Sequence, residues 1–139
     1  MSTLWIGGKD MPRLDMIGIV CRSIPESLKF YRLLGLDVEA SEGEPYVETT
    51  LPGGIRLSWN DLEMVKQIEP DYVEPVGTRM GLAFLCDSPS DVDARYQEVL
   101  SAGYQGHKAP WDAFWGQRYA CVVDPDGNVV DLFAPLSES

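Results

Sequence analysis

Two tryptophans four residues apart, Trp111 and Trp115, are the side chains of this 139-residue chain best suited to holding a flat ligand. They stand in Ala109-Pro-Trp-Asp-Ala-Phe-Trp-Gly, where Pro110 and Gly116 make the backbone too irregular to read as a strand. Large aromatics in such a place either wall a pocket or plug the end of a core, and both readings stay open. A β-hairpin follows at once. Arg118 to Val123 and Val129 to Phe133 are its strands, and Asp124-Pro-Asp-Gly-Asn is its turn. Pro125 presets φ there and Gly127 supplies the positive-φ position. The returning strand carries Asp131, which reads as a general base if buried, or as a structural ion pair with Arg56 or Arg118. The ion pair is preferred, because no positioned catalytic partner is visible.

Other reactive side chains form no set. The sole histidine, His107, has no patterned partner, and no GxSxG elbow occurs. Cys21, Cys86 and Cys121 each sit in an apolar run. An odd count without CxxC spacing gives neither a disulfide framework nor a zinc site. They read as buried packing residues, and Cys121, with no basic neighbour, as inert.

Composition narrows the partners. A hydrophobic content of 45% supports a packed core in one domain or in two small repeated halves. The net charge of -11 repels nucleic-acid phosphates and favours a ligand bearing an amine. No apolar run is long enough for a bilayer, and the N-terminus lacks signal-peptide order. Reduced thiols and the absence of such a signal set the expectation of a cytoplasmic protein without membrane partners.

The elements that must position these residues follow in order. Residues 1–13 are a lead-in. Leu14 to Cys21 reads as a strongly apolar and therefore central strand. Ser23 caps a helix carrying Leu28, Tyr31 and Leu34 at helical spacing, which Gly35 stops. Leu36 to Ala40, Tyr46 to Leu51 and Ile55 to Asn60 read as strands, the last two joined by a Pro52-Gly-Gly turn. In the last, Ile55, Leu57 and Trp59 alternate with Arg56, Ser58 and Asn60, so Trp59 packs beneath a helix while Ser58 and Asn60 face the other way. Asp61 caps a short helix from Leu62 to Ile68, and residues 69–78 are a linker. The pattern then returns. Met80 to Cys86 is a strand, Asp87-Ser-Pro-Ser a cap, and Val92, Tyr96, Val99 and Leu100 a helical stripe ended by Gly103. Tyr104 to Lys108 begins a strand, and the hairpin closes the half. The fold class expected is α+β, with two βαβββ modules at 14–68 and 79–139 enclosing a cleft.

Between Leu14 and Pro135 these residues resemble the vicinal oxygen chelate superfamily of glyoxalases, extradiol dioxygenases and bleomycin-resistance proteins. The most specific pieces are Ile24-Pro-Glu-Ser-Leu-Lys-Phe-Tyr-Arg-Leu-Leu-Gly-Leu and the segment from Trp115-Gly-Gln-Arg-Tyr through the hairpin. Gly53-Gly-Ile-Arg-Leu-Ser-Trp, Gly103-Tyr-Gln-Gly-His and Pro110 to Tyr119 are similar to the mitomycin-binding, drug-sequestering branch. That resemblance implies a metal-free homodimer with pockets at the subunit interface, whose modules pair or exchange between chains. It also implies a ligand-facing Tyr46 opposite Trp115. With Ser58, Asn60, Trp111, Gln117, Asp131 and Phe133 these make the candidate ligand-binding set.

Enzymes of the superfamily hold a metal on the first and last strand of each module. At those positions this chain has Met16, Ser58, Gly81 and Asp131, of which only Asp131 is a usual ligand. The expectation is therefore a protein with no catalytic residues, metal or cofactor, which sequesters a planar aromatic or quinone-like molecule. A metal-dependent lyase, isomerase or dioxygenase of the same fold is the alternative. A binding subunit with no resistance role is a third reading.

Overall fold

A computed structural model describes residues 11–77 and 80–136. Its elements run β1 (Met16–Cys21), α1 (Ile24–Arg32), β2 (Tyr46–Thr50), β3 (Arg56–Asp61), α2 (Leu62–Ile68), β4 (Leu82–Leu85), α3 (Pro89–Ser101), β5 (Gln105–Ala113), β6 (Gln117–Val123) and β7 (Val129–Pro135). The strands form two mixed sheets, ordered β1-β3-β2 and β4-β7-β6-β5. In each, the first strand runs parallel to the last, and the remaining neighbours are antiparallel.

The two halves close their turns in the same way. Ser23 and Ser88 cap α1 and α3 by accepting the N–H of Glu26 and Asp91, each with a proline in the first turn. Gly35 and Gly103, both at φ +98°, take the left-handed conformation that ends the helices. The Leu51 N–H donates to Ile55 O and the Gly54 N–H to Leu51 O. Asp124 to Asn128 O and Gly127 to Asp124 O repeat that pair of bonds in the second hairpin.

Three expectations are corrected. Leu36 to Ala40 forms no strand, so the first sheet has three strands among the described residues. The Arg32 guanidinium takes the Val38 carbonyl through Nε (3.0 Å) and an Nη (2.8 Å), and that acceptor is lost to any ladder. β1 is an edge strand, not a central one: among the described residues it pairs only with β3, which sits in the middle. Of its residues only Ile19 and Cys21 are buried, as members of the common core. Finally, Trp111 does lie on a strand. β5 extends to Ala113, and the irregularity read from Pro110 appears as register shifts between Gly106 and Trp111.

One core joins the halves. Leu28, Phe30 and Tyr31 of α1 and Trp59 of β3 meet Val92 and Val99 of α3 and Ala120, Val122, Val130 and Leu132 of the second sheet. Trp59 is fully buried with its ring 5.9 Å from that of Tyr31, beneath the helix as its strand parity requires. Phe30 stands edge-on to Tyr104 at 5.1 Å, and Tyr31 lies 6.3 Å from Phe84, so α1 packs against both halves. α2 buries only Leu62 and rides on the surface.

Candidate functional site

Alternation along β6 and β7 decides which side chains stay open. Ala120, Val122, Val130 and Leu132 point into the core, and their neighbours point away from it. The register then lines up Trp111, Tyr119 and Phe133 across β5, β6 and β7. Beside that row stand Lys108, Cys121 and Asp131. Trp115, in the turn between β5 and β6, leans over the first row. Its ring is 5.5 Å from Trp111 and 5.3 Å from Tyr119, edge-on to both, and 4.9 Å from Phe114. Trp115 is 48% exposed and Phe114 91%, so this aromatic group is no core plug. The Trp115 Nε1–H donates to Gln117 Oε1 at 2.8 Å, which fixes the ring's orientation.

Asp131 does not form the expected ion pair. Arg56 is taken by Asp15 and Glu48, and Arg118 by Asp93 and Asp112. The partner of Asp131 is the Tyr119 hydroxyl, which donates to Oδ2 at 2.5 Å. Burial first, then this bond, holds the Tyr119 phenol protonated well above its ordinary range. The Cys121 thiol is pushed up to about 12, first by burial and then by its hydrogen bond to Asp131. Lys108, its cross-strand partner, is the basic neighbour that the sequence did not show, and acts in the opposite direction without outweighing burial. Of the three thiols only Cys21 is fully buried, however; Cys86 and Cys121 are part-exposed.

The other candidates sit on the first sheet. The Tyr46 hydroxyl donates to Glu48 Oε1 at 2.7 Å and lies 3.1 Å from Met16 Sδ. Glu48 faces Ser58 in the ladder and accepts Arg56 at 2.9 and 3.0 Å. The Tyr46 bond first, then Arg56, lowers the Glu48 carboxyl below its usual value. Ser58 is buried, and its Oγ accepts the Asn60 amide at 3.1 Å. Both cluster about Gly18, where an added Cβ would lie 3.2 Å from Asn60 Nδ2 and 3.3 Å from Ser58 Oγ.

The candidate set thus falls into two groups. Trp111, Trp115, Gln117, Asp131 and Phe133 come together on the second sheet, and Tyr46, Ser58 and Asn60 on the first. Among the described residues, no ring pair joins Tyr46 to Trp115. Tyr119, Lys108 and Glu48 belong to these faces and were not singled out from the sequence. A signal existed for two of them. Hairpin register places Tyr119 diagonally from Asp131, and Glu48 is two residues from Tyr46, on the same strand face.

These donors do not fit the metal that the fold's enzymes hold. Met16 Sδ sits against a phenol, Ser58 Oγ is buried against an amide, Gly81 has no side chain, and Asp131 Oδ2 is taken by Tyr119. No three His, Cys, Asp or Glu side chains converge among the described residues. No described helix is long and apolar enough to cross a membrane.

The family model for the Glyoxalase/Bleomycin resistance protein/Dioxygenase superfamily matches residues 13–132. The chain belongs to this superfamily. Members of known structure share its fold. A family enzyme from Burkholderia phytofirmans aligns at a TM-score of 0.76 and 23% identity, over 90% of this chain and 100% of its own. A glyoxalase/bleomycin resistance protein/dioxygenase from Nocardioides aligns at 0.71 and 21%, over 96% and 90%. Lactoylglutathione lyase from Agrobacterium tumefaciens aligns at 0.63 and 16%, over 91% and 96%. Among curated sequences, an uncharacterized protein of Mycobacterium bovis is 43% identical over 49 residues, 35% of this chain. That match spans about a third (32%) of the relative's length. A second, from Mycolicibacterium smegmatis, is 26% identical over 123 residues, covering 88% of this chain and 94% of its own.

Proposed function

We propose that this superfamily member binds a planar aromatic or quinone-like small molecule on the open aromatic face of its second sheet and releases it unchanged. Its role is then sequestration of an antibiotic-like compound, as in the mitomycin-binding branch that its sequence resembles. The carrying observation is the edge-on set of Trp111, Trp115 and Tyr119, with Trp115 half exposed and held by Gln117. Each ring stacked on a flat ligand contributes roughly 1 kcal/mol beyond area burial. A donor set with only Asp131 as a usual ligand disfavours metal chemistry.

The functional unit in this proposal is a cytoplasmic homodimer, each chain carrying one three-stranded and one four-stranded half. Leu85 (68% exposed) and Phe114 border the aromatic face, and a twofold partner would cover such apolar surface and set its Tyr46 side opposite Trp115.

A lyase or isomerase is the second reading, favoured by one feature. Glu48 is an open, ionised carboxylate hydrogen-bonded to a phenol, an arrangement able to move a proton. Titrating intrinsic fluorescence with a quinone antibiotic, then recovering the compound chromatographically, separates the two. Saturable quenching with full recovery supports sequestration; catalytic loss of the compound, or one tightly held metal per chain by elemental analysis, refutes it.

A further inference from the structure

Away from the aromatic face, a cavity of about 520 Å³ runs along the seam between the free edge of β1 and the starts of β4 and β7. That volume falls in the roughly 300–1,000 Å³ range of small-molecule sites. Ile17, Ile19, Leu82 and Val129 give it apolar walls, and one wall carries Arg22, Glu74 and Asp126. The Arg22 backbone N–H donates to Asp126 Oδ1 at 2.9 Å, and its guanidinium stands 3.5 Å from the same oxygen. The guanidinium's other end bonds Glu74. Two carboxylates thus share one cation.

Asp126 is the unusual member. Its side chain is only 10% exposed, yet Oδ2 has no hydrogen-bond partner among the described residues. A buried carboxylate oxygen without a donor carries an uncompensated desolvation cost, and native structures rarely leave one so unless something else supplies the donor. Arg22 is already committed to Oδ1 and Glu74.

We propose that the seam cavity is a second binding site, for a small molecule joining an apolar body to one cationic N–H donor. The ammonium donates to the Asp126 carboxylate and balances the excess negative charge of the Arg22–Glu74–Asp126 wall. The body packs on Ile17, Ile19, Leu82 and Val129. An anion meets two carboxylates there, and a neutral molecule leaves the charge unbalanced.

The test is a titration of ¹⁵N-labelled full-length protein with three probes of matched body: 2-phenylethylammonium, 2-phenylethanol and 3-phenylpropanoate. The ammonium is expected to give saturable shifts at the amides of Ile17, Leu82, Gly127 and Val129. The alcohol should bind about tenfold more weakly or worse, and the carboxylate not at all. In Asp126→Asn the preference for ammonium over alcohol should vanish. If that variant does not fold, Glu74→Gln, at an exposed position, should cut the preference several-fold. Equal affinity of ammonium and alcohol for the parent would overturn the proposal. So would no saturable shift, or shifts confined to the Trp111–Trp115–Tyr119 face. Failure of the seam site leaves the reading of the aromatic face standing.

Discussion

The Tyr31 hydroxyl donates to Asp124 Oδ2 at 2.8 Å, joining α1 in the first half to the last hairpin turn, 93 residues away. Both side chains are buried. Asp124 accepts three further bonds, from the N–H groups of Asp126 (2.9 Å) and Asn128 (2.8 Å) and from the Asn128 amide (2.8 Å). A buried carboxylate is tolerable only when so satisfied. The same residue therefore shapes the turn and pins the halves together. Burial, followed by the Asp124 charge, raises the Tyr31 phenol far above its ordinary range, which favours the protonated donor form.

Tyr31→Phe should lower stability by about 1–3 kcal/mol, the cost of one charge-assisted bond lost in the core. Asp124→Ala strips partners from several buried donors at once and should cost more, about 3–5 kcal/mol. Urea unfolding followed by tryptophan fluorescence measures both. A Tyr31→Phe midpoint indistinguishable from the parent would mean that water takes over the hydroxyl's place.

Trp115→Ala should weaken binding of a quinone antibiotic by about 1–3 kcal/mol, roughly ten- to a hundred-fold, while circular dichroism stays that of the parent. Half of the ring already faces outward, so its loss opens no core cavity. Unchanged affinity in the variant would sink the stacking model.

The thiols should resist alkylation in the native state. Cys21 is pushed up to about 12, by burial first and then by Asp126, Asp61 and Asp124; Cys121 is raised to about 12 as well. At pH 8 their thiolate fractions, and so their rates with iodoacetamide, should fall roughly a hundred-fold or more below those of the unfolded chain. Mass spectrometry of partially labelled protein reads this residue by residue. Rapid native labelling of Cys121 would instead reveal a low-pKa thiol on the candidate site.

Asp126 predicts a pH dependence of known sign. Burial, partly offset by the Arg22 N–H, raises its carboxyl above the ordinary value, with Asp124 and Glu74 adding in the same direction. A carboxyl whose folded pKa is raised contributes stability that is complete below its unfolded pKa and is lost as pH rises through the folded one. Asp126→Asn should therefore gain on the parent from about pH 4 upward, and the two should converge in more acidic solution. Thermal unfolding across that range measures the difference. A gap that widens toward low pH would reverse the assignment.

Local chemistry was legible wherever the chain's own neighbours decided it. Ser23 and Asp61 cap their helices as read, and Ser88 supplies the cap read within Asp87-Ser-Pro-Ser, because a short oxygen-bearing side chain ahead of a periodic apolar run needs only nearby N–H groups. The two hairpin turns follow from Pro52-Gly-Gly and Pro125-Asp-Gly for the same reason. Leu36 to Ala40 misled because its alternation is that of a strand, whereas the Arg32 guanidinium, six residues before Val38, took the carbonyl acceptor that a strand requires.

The sequence by itself determined the superfamily, most elements and the side-chain parity that buries Trp59. These depend on periodicity and on contacts within a few residues. Only the tertiary structure decided that Asp131 answers to Tyr119 rather than to an arginine, and that β1 lies at an edge. It also left Asp126 Oδ2 without a donor among the described residues, beside a cavity. Each of those depends on strand order or on the packing of α1 across both halves. Contacts spanning such distances are set by the burial of the whole core, to which no single segment of the chain holds the pattern.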